Sequence, residues 1–378
     1  MTRHAVRWWA AGVAVLTLVV VAGMDVPGAL TDLKVYRSGG AAWLHGVPLY
    51  TGEFPSWLPF TYPPVAAVLF SLPAMVPMVV ATVVLTVAGL VALSATTLLV
   101  TPARLSGPLV AVAAVGVFAF EPVRTTLLFG QVNLVLMGLV AVDCLLPRTR
   151  YPRGLLIGIA AAVKLTPAIF VLFFLARRQY PPAVTAVVTF AAVTGLGMLL
   201  APADSVSYWH TTIFDPDRIG GAAFVTNQSL RAELARLGLG QGWWLVLVAV
   251  VLALAWRAAR RTVDPVVALL VVAAAGLLAS PVSWSHHWVW IVPAVAYAVV
   301  HRRLAVAGVA TALFVVGHRF LPHGKGRELA WTWWQHAAGN TYLVAALAFL
   351  AWQAFHSDLR VQRTLSVSSS AKSLEGVQ

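Results

Sequence analysis

Long uninterrupted apolar runs govern what this chain can fold into. They occur at about residues 8–24, 78–100, 108–120, 131–147, 181–201, 242–256, 264–280, 287–300, 304–320 and 339–356. A helix needs about 20 residues to cross the ~30 Å hydrocarbon layer of a bilayer, and these runs fall in or near that range. Backbone inside lipid must satisfy its own hydrogen bonds, and the runs lack the alternation of barrel strands, so the spans are expected to be helices. A chain of 378 residues that is 60% hydrophobic and only 10% charged, with a mean hydropathy of +0.83, is too apolar for a soluble domain of its size. The expected class is an all-α polytopic membrane protein.

The charges sharpen this reading. A net charge of +13 would suit nucleic acid, but the basic residues form short clusters between apolar runs, with no basic domain to carry them. They read as topology signals, and no nucleic-acid partner is expected. Arg3 and Arg7 precede a run from Trp8 to Met24 that resembles a signal sequence without a convincing cleavage site, so it is read as an uncleaved first span. The single cysteine, Cys144, provides neither a disulfide framework nor a paired-thiol metal motif.

The stretch 154–176 has basic residues at both ends, Arg148, Arg150 and Arg153 before it and Arg177 and Arg178 after it, while Lys164 and Pro167 interrupt its middle. It reads either as a hairpin reaching the far side or as a single crossing. With the hairpin the chain threads consistently as about twelve crossings (ten to twelve), with both termini and most Lys and Arg cytoplasmic and most Asp and Glu outside. Segments 25–77 and 202–241 are then the long outer loops covering a domain of residues 1–357, and the serine-rich tail 358–378 is expected to be disordered in the cytoplasm.

On this threading the unusual polar motifs gather outside. In order they are Asp32-Leu33-Lys34-Val35-Tyr36, Phe60-Thr61-Tyr62-Pro63-Pro64, Gly130-Gln131-Val132-Asn133, Lys164-Leu165-Thr166-Pro167, Asn227-Gln228-Ser229-Leu230 and Ser280-Pro281 through His287. Each is weak alone; six in order are specific. The chain resembles glycosyltransferase family 87, actinobacterial membrane mannosyltransferases of the GT-C fold that use polyprenyl-phosphate-mannose to make α-1,2 linkages. The resemblance implies a lipid-linked sugar donor, a glycolipid acceptor such as a phosphatidylinositol mannoside or lipomannan, no further cofactor, and transfer on the outer face of the cell membrane. It also implies that the carboxylate in the first motif, Asp32, is the catalytic base, and that one displacement inverts a β-linked donor.

Displacing a polyprenyl phosphate with a sugar hydroxyl needs a base at the hydroxyl and positive or hydrogen-bonding groups around the phosphate. Asp32 is the expected base, with capping of the helix beginning at Leu33 as its alternative role, while Asp25 is a rival outside the motif. Lys164 lies among Ala160-Ala161-Ala162-Val163 and Leu165, a costly place for an ammonium unless it reaches water, an anion or a carboxylate, so it is a candidate for the donor phosphate. Arg231 and Arg37 are further phosphate candidates. His286 and His287 could bond the phosphate, orient the acceptor or shuttle a proton. Tyr62, Gln131, Asn133, Asn227 and Gln228 could bond sugar hydroxyls or simply close loops and cap helices. A metal site is not expected, because Asp32 with two adjacent histidines lacks an established ligand spacing.

Of the 15 tryptophans, Trp331, Trp333 and Trp334 cluster in the last outer loop and Trp284, Trp288 and Trp290 around the histidines; most of the 15 are expected in the interfacial aromatic belt and a minority against sugar faces. No Gly-rich phosphate loop is present for a sugar nucleotide. Two other readings are an arabinofuranose transferase of the same fold and a transporter or lipid flippase in which Lys164 contacts substrate or coupling ion. Charged groups at the outer rim favour an enzyme, and charged groups at the midplane a transporter.

Overall fold

The structure, a computed structural model, describes residues 3–50, 58–101, 117–240 and 242–356. Among these, the only pairing of extended chain is an isolated antiparallel bridge between Asn227 and Trp284; every regular element is helical. Helix α1 (Arg3–Ala22) is followed by α2 (Thr31–Leu44), α3 (Pro64–Ala74) and the long α4 (Met78–Val100). Then come α5 (Glu121–Phe129), α6 (Asn133–Leu145), α7 (Leu155–Val163), a 3-10 turn at Thr166–Phe170, α8 (Val171–Ala176), the long α9 (Tyr180–Leu200) and α10 (Pro202–His210). After α11 (Leu230–Arg236) the chain forms α12 (Gly242–Arg261), α13 (Pro265–Ala279), α14 (Ile291–Val300), α15 (Leu304–Val315), α16 (Trp333–Gly339) and α17 (Thr341–His356).

Three helices, α4, α9 and α12, are long and apolar enough to cross a membrane, or up to five segments if the bent pairs α5–α6 (117°) and α16–α17 (70°) each count as one. Shorter apolar helices of 10–17 residues include α3, α13, α14 and α15. The apolar runs therefore overcount continuous helices, because hydropathy does not register a break in the backbone. Run 154–176 shows this: α7 stops where Lys164 turns extended (φ −150, ψ 124), and the chain resumes as a 3-10 turn around Pro167. Most of the run expected at 108–120 lies outside the described residues, as do 51–57 of the first long loop and the tail 358–378.

The core centres on α13, where every residue from Val266 to Ala275 is buried. An apolar surface on all sides is the mark of a helix with no solvent or lipid face. Its start is set by Pro265 at the first turn and by Asp264, whose Oδ1 accepts the Val266 N–H at 2.8 Å. A second buried cluster joins α2, α3, α4 and α6.

Two glycines determine where α2 lies. A Cβ on Gly40 would stand 2.2 Å from the Phe70 carbonyl oxygen, so α2 approaches the α3 backbone closer than any side chain allows. Gly130 ends α5 in the left-handed region (φ 65), and a Cβ there would meet Leu33 of α2 at 2.7 Å. Gly40→Ala should therefore destabilise the fold by about 1–3 kcal/mol. Gly195→Ala, with nothing within 4 Å of the added methyl, should be neutral or slightly stabilising. Thermal unfolding of the two variants in one detergent compares them, and equal midpoints would show that the α2–α3 approach can relax.

Candidate active site

Helix α2 starts where Leu30 adopts a left-handed conformation (φ 54) and donates its N–H to the Leu128 carbonyl at 2.7 Å. Thr31 Oγ1 bonds the Gly28 carbonyl at 2.7 Å. These contacts set Asp32 in the first helical turn, where the N-terminal end of the helix favours an anion. Leu33 and Tyr36 are buried and anchor the helix, Tyr36 one turn after Asp32 and stacking on Phe70 with centroids 4.3 Å apart. Asp32 is half-buried and lines a cleft of about 490 Å³.

Tyr62, Gln131, Lys164, His286 and His287 line the same cleft. The Tyr36 hydroxyl donates to Gln131 Oε1 at 2.5 Å and lies 3.1 Å from the Tyr62 hydroxyl, to which Gln131 Nε2 donates at 3.3 Å. Lys164 Nζ donates to Asn133 Oδ1 at 2.9 Å, lies 3.3 Å from His287 Nε2 and stands 5.8 Å from the Tyr62 ring centroid. The break in α7 is what frees this ammonium from its own helix. Asp143, fully buried one segment earlier, holds the other end of α7 by accepting the Gly154 and Ile157 N–H groups at 2.9 and 3.0 Å. Burial raises the Asp32 carboxyl from the ordinary carboxylate range to about 6, outweighing the opposing pull of the Lys164 charge and a Gln131 hydrogen bond.

The wall bearing the histidines is tied down on several sides. The His286 carbonyl accepts from Thr126 Oγ1 at 2.8 Å and from Asn133 Nδ2 at 3.0 Å. Ser285 Oγ donates at 2.8 Å to buried Glu121, which also accepts from Thr125 Oγ1 at 2.9 Å and from the Tyr342 hydroxyl at 3.0 Å. His286 Nε2 is buried and makes no hydrogen bond among the described residues.

Other candidates lie elsewhere. Asn133 sits behind Lys164, with both amide atoms engaged by protein. Asn227 and Gln228 are fully buried. Asn227 Oδ1 accepts the Ser283 and Ser229 N–H groups at 2.9 and 3.3 Å, and Gln228 Nε2 donates to the Gly339 and Val225 carbonyls at 2.6 and 3.3 Å. Of the two roles open to them, sugar contact or loop closure, the bonds they make here serve the second, bracing the backbone behind the cleft wall. Arg37 donates to the carbonyls of Pro73, in the last turn of α3, and Val76, just past it, and does not line the cleft. Arg231 pairs with Asp217 at 3.1 Å and likewise lies off the lining.

Two cations that sequence reasoning passed over do line the cleft: Arg218, half-buried, and Arg319, exposed. Nothing local distinguishes them from solvated loop arginines. Among the described residues no three His, Cys, Asp or Glu side chains group so as to hold a metal ion.

A carboxylate, an ammonium and two imidazoles around a cleft fed by helix ends suit transfer of a group from an anionic leaving group. The glycosyltransferase family 87 model matches residues 60–281. The chain belongs to this family. It is 42% identical over 356 residues, 84% of its length and 83% of the relative's, to the polyprenol-phosphate-mannose-dependent alpha-(1-2)-phosphatidylinositol mannoside mannosyltransferase of Mycobacterium tuberculosis H37Rv. The enzyme of the same name from Mycolicibacterium smegmatis is 40% identical over 364 residues, covering 84% of this chain and 82% of its own. A polyprenol-phosphate-mannose-dependent alpha-(1-2)-phosphatidylinositol pentamannoside mannosyltransferase from M. smegmatis is 36% identical over 358 residues, 86% of this chain and 85% of its own. No solved structure matches the chain.

This family 87 protein is a glycosyltransferase, and its cleft can be probed from behind. Asn227→Ala would strand the buried Ser283 N–H, lowering stability by about 1–3 kcal/mol and reducing turnover through a loosened wall. A sugar contact would behave differently, raising KM for the acceptor with the unfolding midpoint unchanged. Unfolding and steady-state kinetics on one preparation separate the two.

Proposed function

We propose that the protein is an inverting mannosyltransferase that moves mannose from polyprenyl-phosphate-mannose to a phosphatidylinositol-mannoside acceptor, forming an α-1,2 linkage. The observation that carries the site assignment is that Asp32 and Lys164, far apart in sequence, line one cleft with Tyr62, Gln131 and both histidines. Asp32 takes the proton of the attacking hydroxyl, while Lys164 compensates the negative charge growing on the departing polyprenyl phosphate. His286 offers its buried Nε2 to a phosphate oxygen or sugar hydroxyl, and His287 positions the Lys164 ammonium. Arg218 and Arg319 replace Arg37 and Arg231 as the additional cations at the cleft.

The relatives' names support mannose over arabinose. The higher identity to the phosphatidylinositol mannoside enzymes than to the pentamannoside enzyme, 42% and 40% against 36%, supports an acceptor of the former kind. The proposed setting is a GT-C membrane domain of about twelve crossings, counting broken segments, with cytoplasmic termini and the cleft outside. Basic clusters at Arg148–Arg153, Arg257–Arg261 and Arg302–Arg303 support that orientation.

Asp32→Asn keeps the shape of the side chain and removes the base, so transfer from radiolabelled polyprenyl-phosphate-mannose should fall about 10²–10⁴-fold in protein that still unfolds at the parental temperature. Near-parental turnover would remove Asp32 from this role. With the carboxyl at about 6, the base is ionised above that pH and protonated below it. The parental kcat/KM should therefore hold up to neutrality and fall about tenfold per pH unit on the acid side. Lys164→Ala should weaken the response to donor concentration, and an unchanged donor KM would argue against phosphate contact.

A further inference from the structure

The loop joining α15 to α16, residues 316–332, has two sets of side chains. Leu321, Glu328 and Trp331 turn inward, and Leu321 and Trp331 pack with Val225. Outward stand Phe320, Leu329, Trp333 and Trp334, the last two on α16, with relative exposures of 63%, 60%, 82% and 48%. Among them are the exposed cations Arg319, Lys325 and Arg327. The loop's single carboxylate, Glu328, is buried and accepts the Gly324 and Val225 N–H groups at 2.8 and 3.3 Å, so it does not offset those cations at the surface. Capping of α16 by Thr332 and Gln335 and the bond from Trp331 Nε1 to the Pro322 carbonyl at 2.8 Å hold this presentation in place.

Large aromatic and aliphatic side chains interleaved with cations suit the plane where acyl chains meet charged headgroups. The loop leads from apolar α15 into the bent pair α16–α17, and Arg319 also lines the catalytic cleft, which puts this face at the same end of the fold as the site. A second copy of the chain is a poor occupant, because a symmetric contact would oppose cations to cations. We propose that residues 319–334 form a docking face for anionic phospholipid headgroups, concentrating acidic lipid beside the mouth of the cleft. The hydrophobic set enters the interfacial layer, and Lys325 and Arg327 select negative headgroups, an attraction that salt screens.

The test uses the full chain bearing Leu329→Cys, labelled with a polarity-sensitive dye; native Cys144 is buried and stays in place. Emission is read in nanodiscs of phosphatidylcholine alone and of phosphatidylcholine with phosphatidylglycerol. The expected result is a blue shift on adding phosphatidylglycerol, reversed by salt and lost in Lys325→Gln/Arg327→Gln, with Trp333→Ala/Trp334→Ala red-shifted in both lipids. Arg319 is left intact, and the readout does not depend on sugar transfer, so the outcome is independent of the assigned activity. Emission indifferent to headgroup charge and to the Lys325 and Arg327 changes would overturn the proposal. So would emission that followed protein-to-lipid ratio instead, which would assign the face to a second copy.

Discussion

The position of the Lys164 ammonium is the constraint on which the site depends. A cation at this depth is costly unless acceptors and a counter-charge surround it. Asn133 and His287 bond it, the Tyr62 ring faces it and Asp32 shares its cleft. These partners come from the start of α6, the turn before α14, the entry to α3 and the first turn of α2. One charged atom thus fixes the relative placement of four segments that are remote in sequence. The interruption in α7 is required for this, since a continuous helix would aim the side chain along its own flank.

The same balance governs Asp32. Burial makes its carboxylate more basic, and the nearby ammonium limits that increase, leaving a group that is ionised at neutral pH yet a stronger base than a solvated aspartate. Tyr36, Tyr62 and Gln131 bond to one another beside it, and the close approach at Gly40 holds the supporting aromatic stack against α3. The packing that buries Asp32 is therefore also what raises its carboxyl above the ordinary range.

Much of this was legible in the chain because the informative residues are those that apolar surroundings penalise. Lys164 among alanines, Asp32 just past a span and paired histidines after Ser-Pro each demand an explanation, and all four line the cleft. Arg218 and Arg319 lie in polar loops where an arginine costs nothing, so no local signal separates a cleft residue from a solvated one. Asn227 and Gln228 were ambiguous for the opposite reason: an amide that binds a sugar and an amide that braces a loop present the same donors and acceptors. Glu121 escaped notice because two of its three hydroxyl partners, Ser285 and Tyr342, lie 164 and 221 residues away. Apolar runs outnumber the continuous long helices because hydropathy reports apolar length, whereas Lys164, Pro167 and the bends at Gly130 and Asn340 divide that length into shorter helices.

The two walls of the cleft are built to different standards. On the histidine side Asn227, Gln228, Asn133, Thr126 and Glu121 each bond the 283–286 segment, so its backbone has little freedom. Elsewhere on the lining the Pro216–Ile219 turn is fastened by an Asp215 cap at 3.3 Å and by the Arg231–Asp217 pair, whose carboxylate is 69% exposed and therefore weakly held. Charge stabilisation at a reacting centre works only if the stabilising groups are already in position, because reorganising them would consume the gain. Acceptor recognition has no such requirement and benefits from a wall that adjusts. A firmly held segment carrying His286, His287 and the contacts of Lys164, together with a looser turn carrying Arg218, is the division expected where one chemistry meets a large glycolipid acceptor.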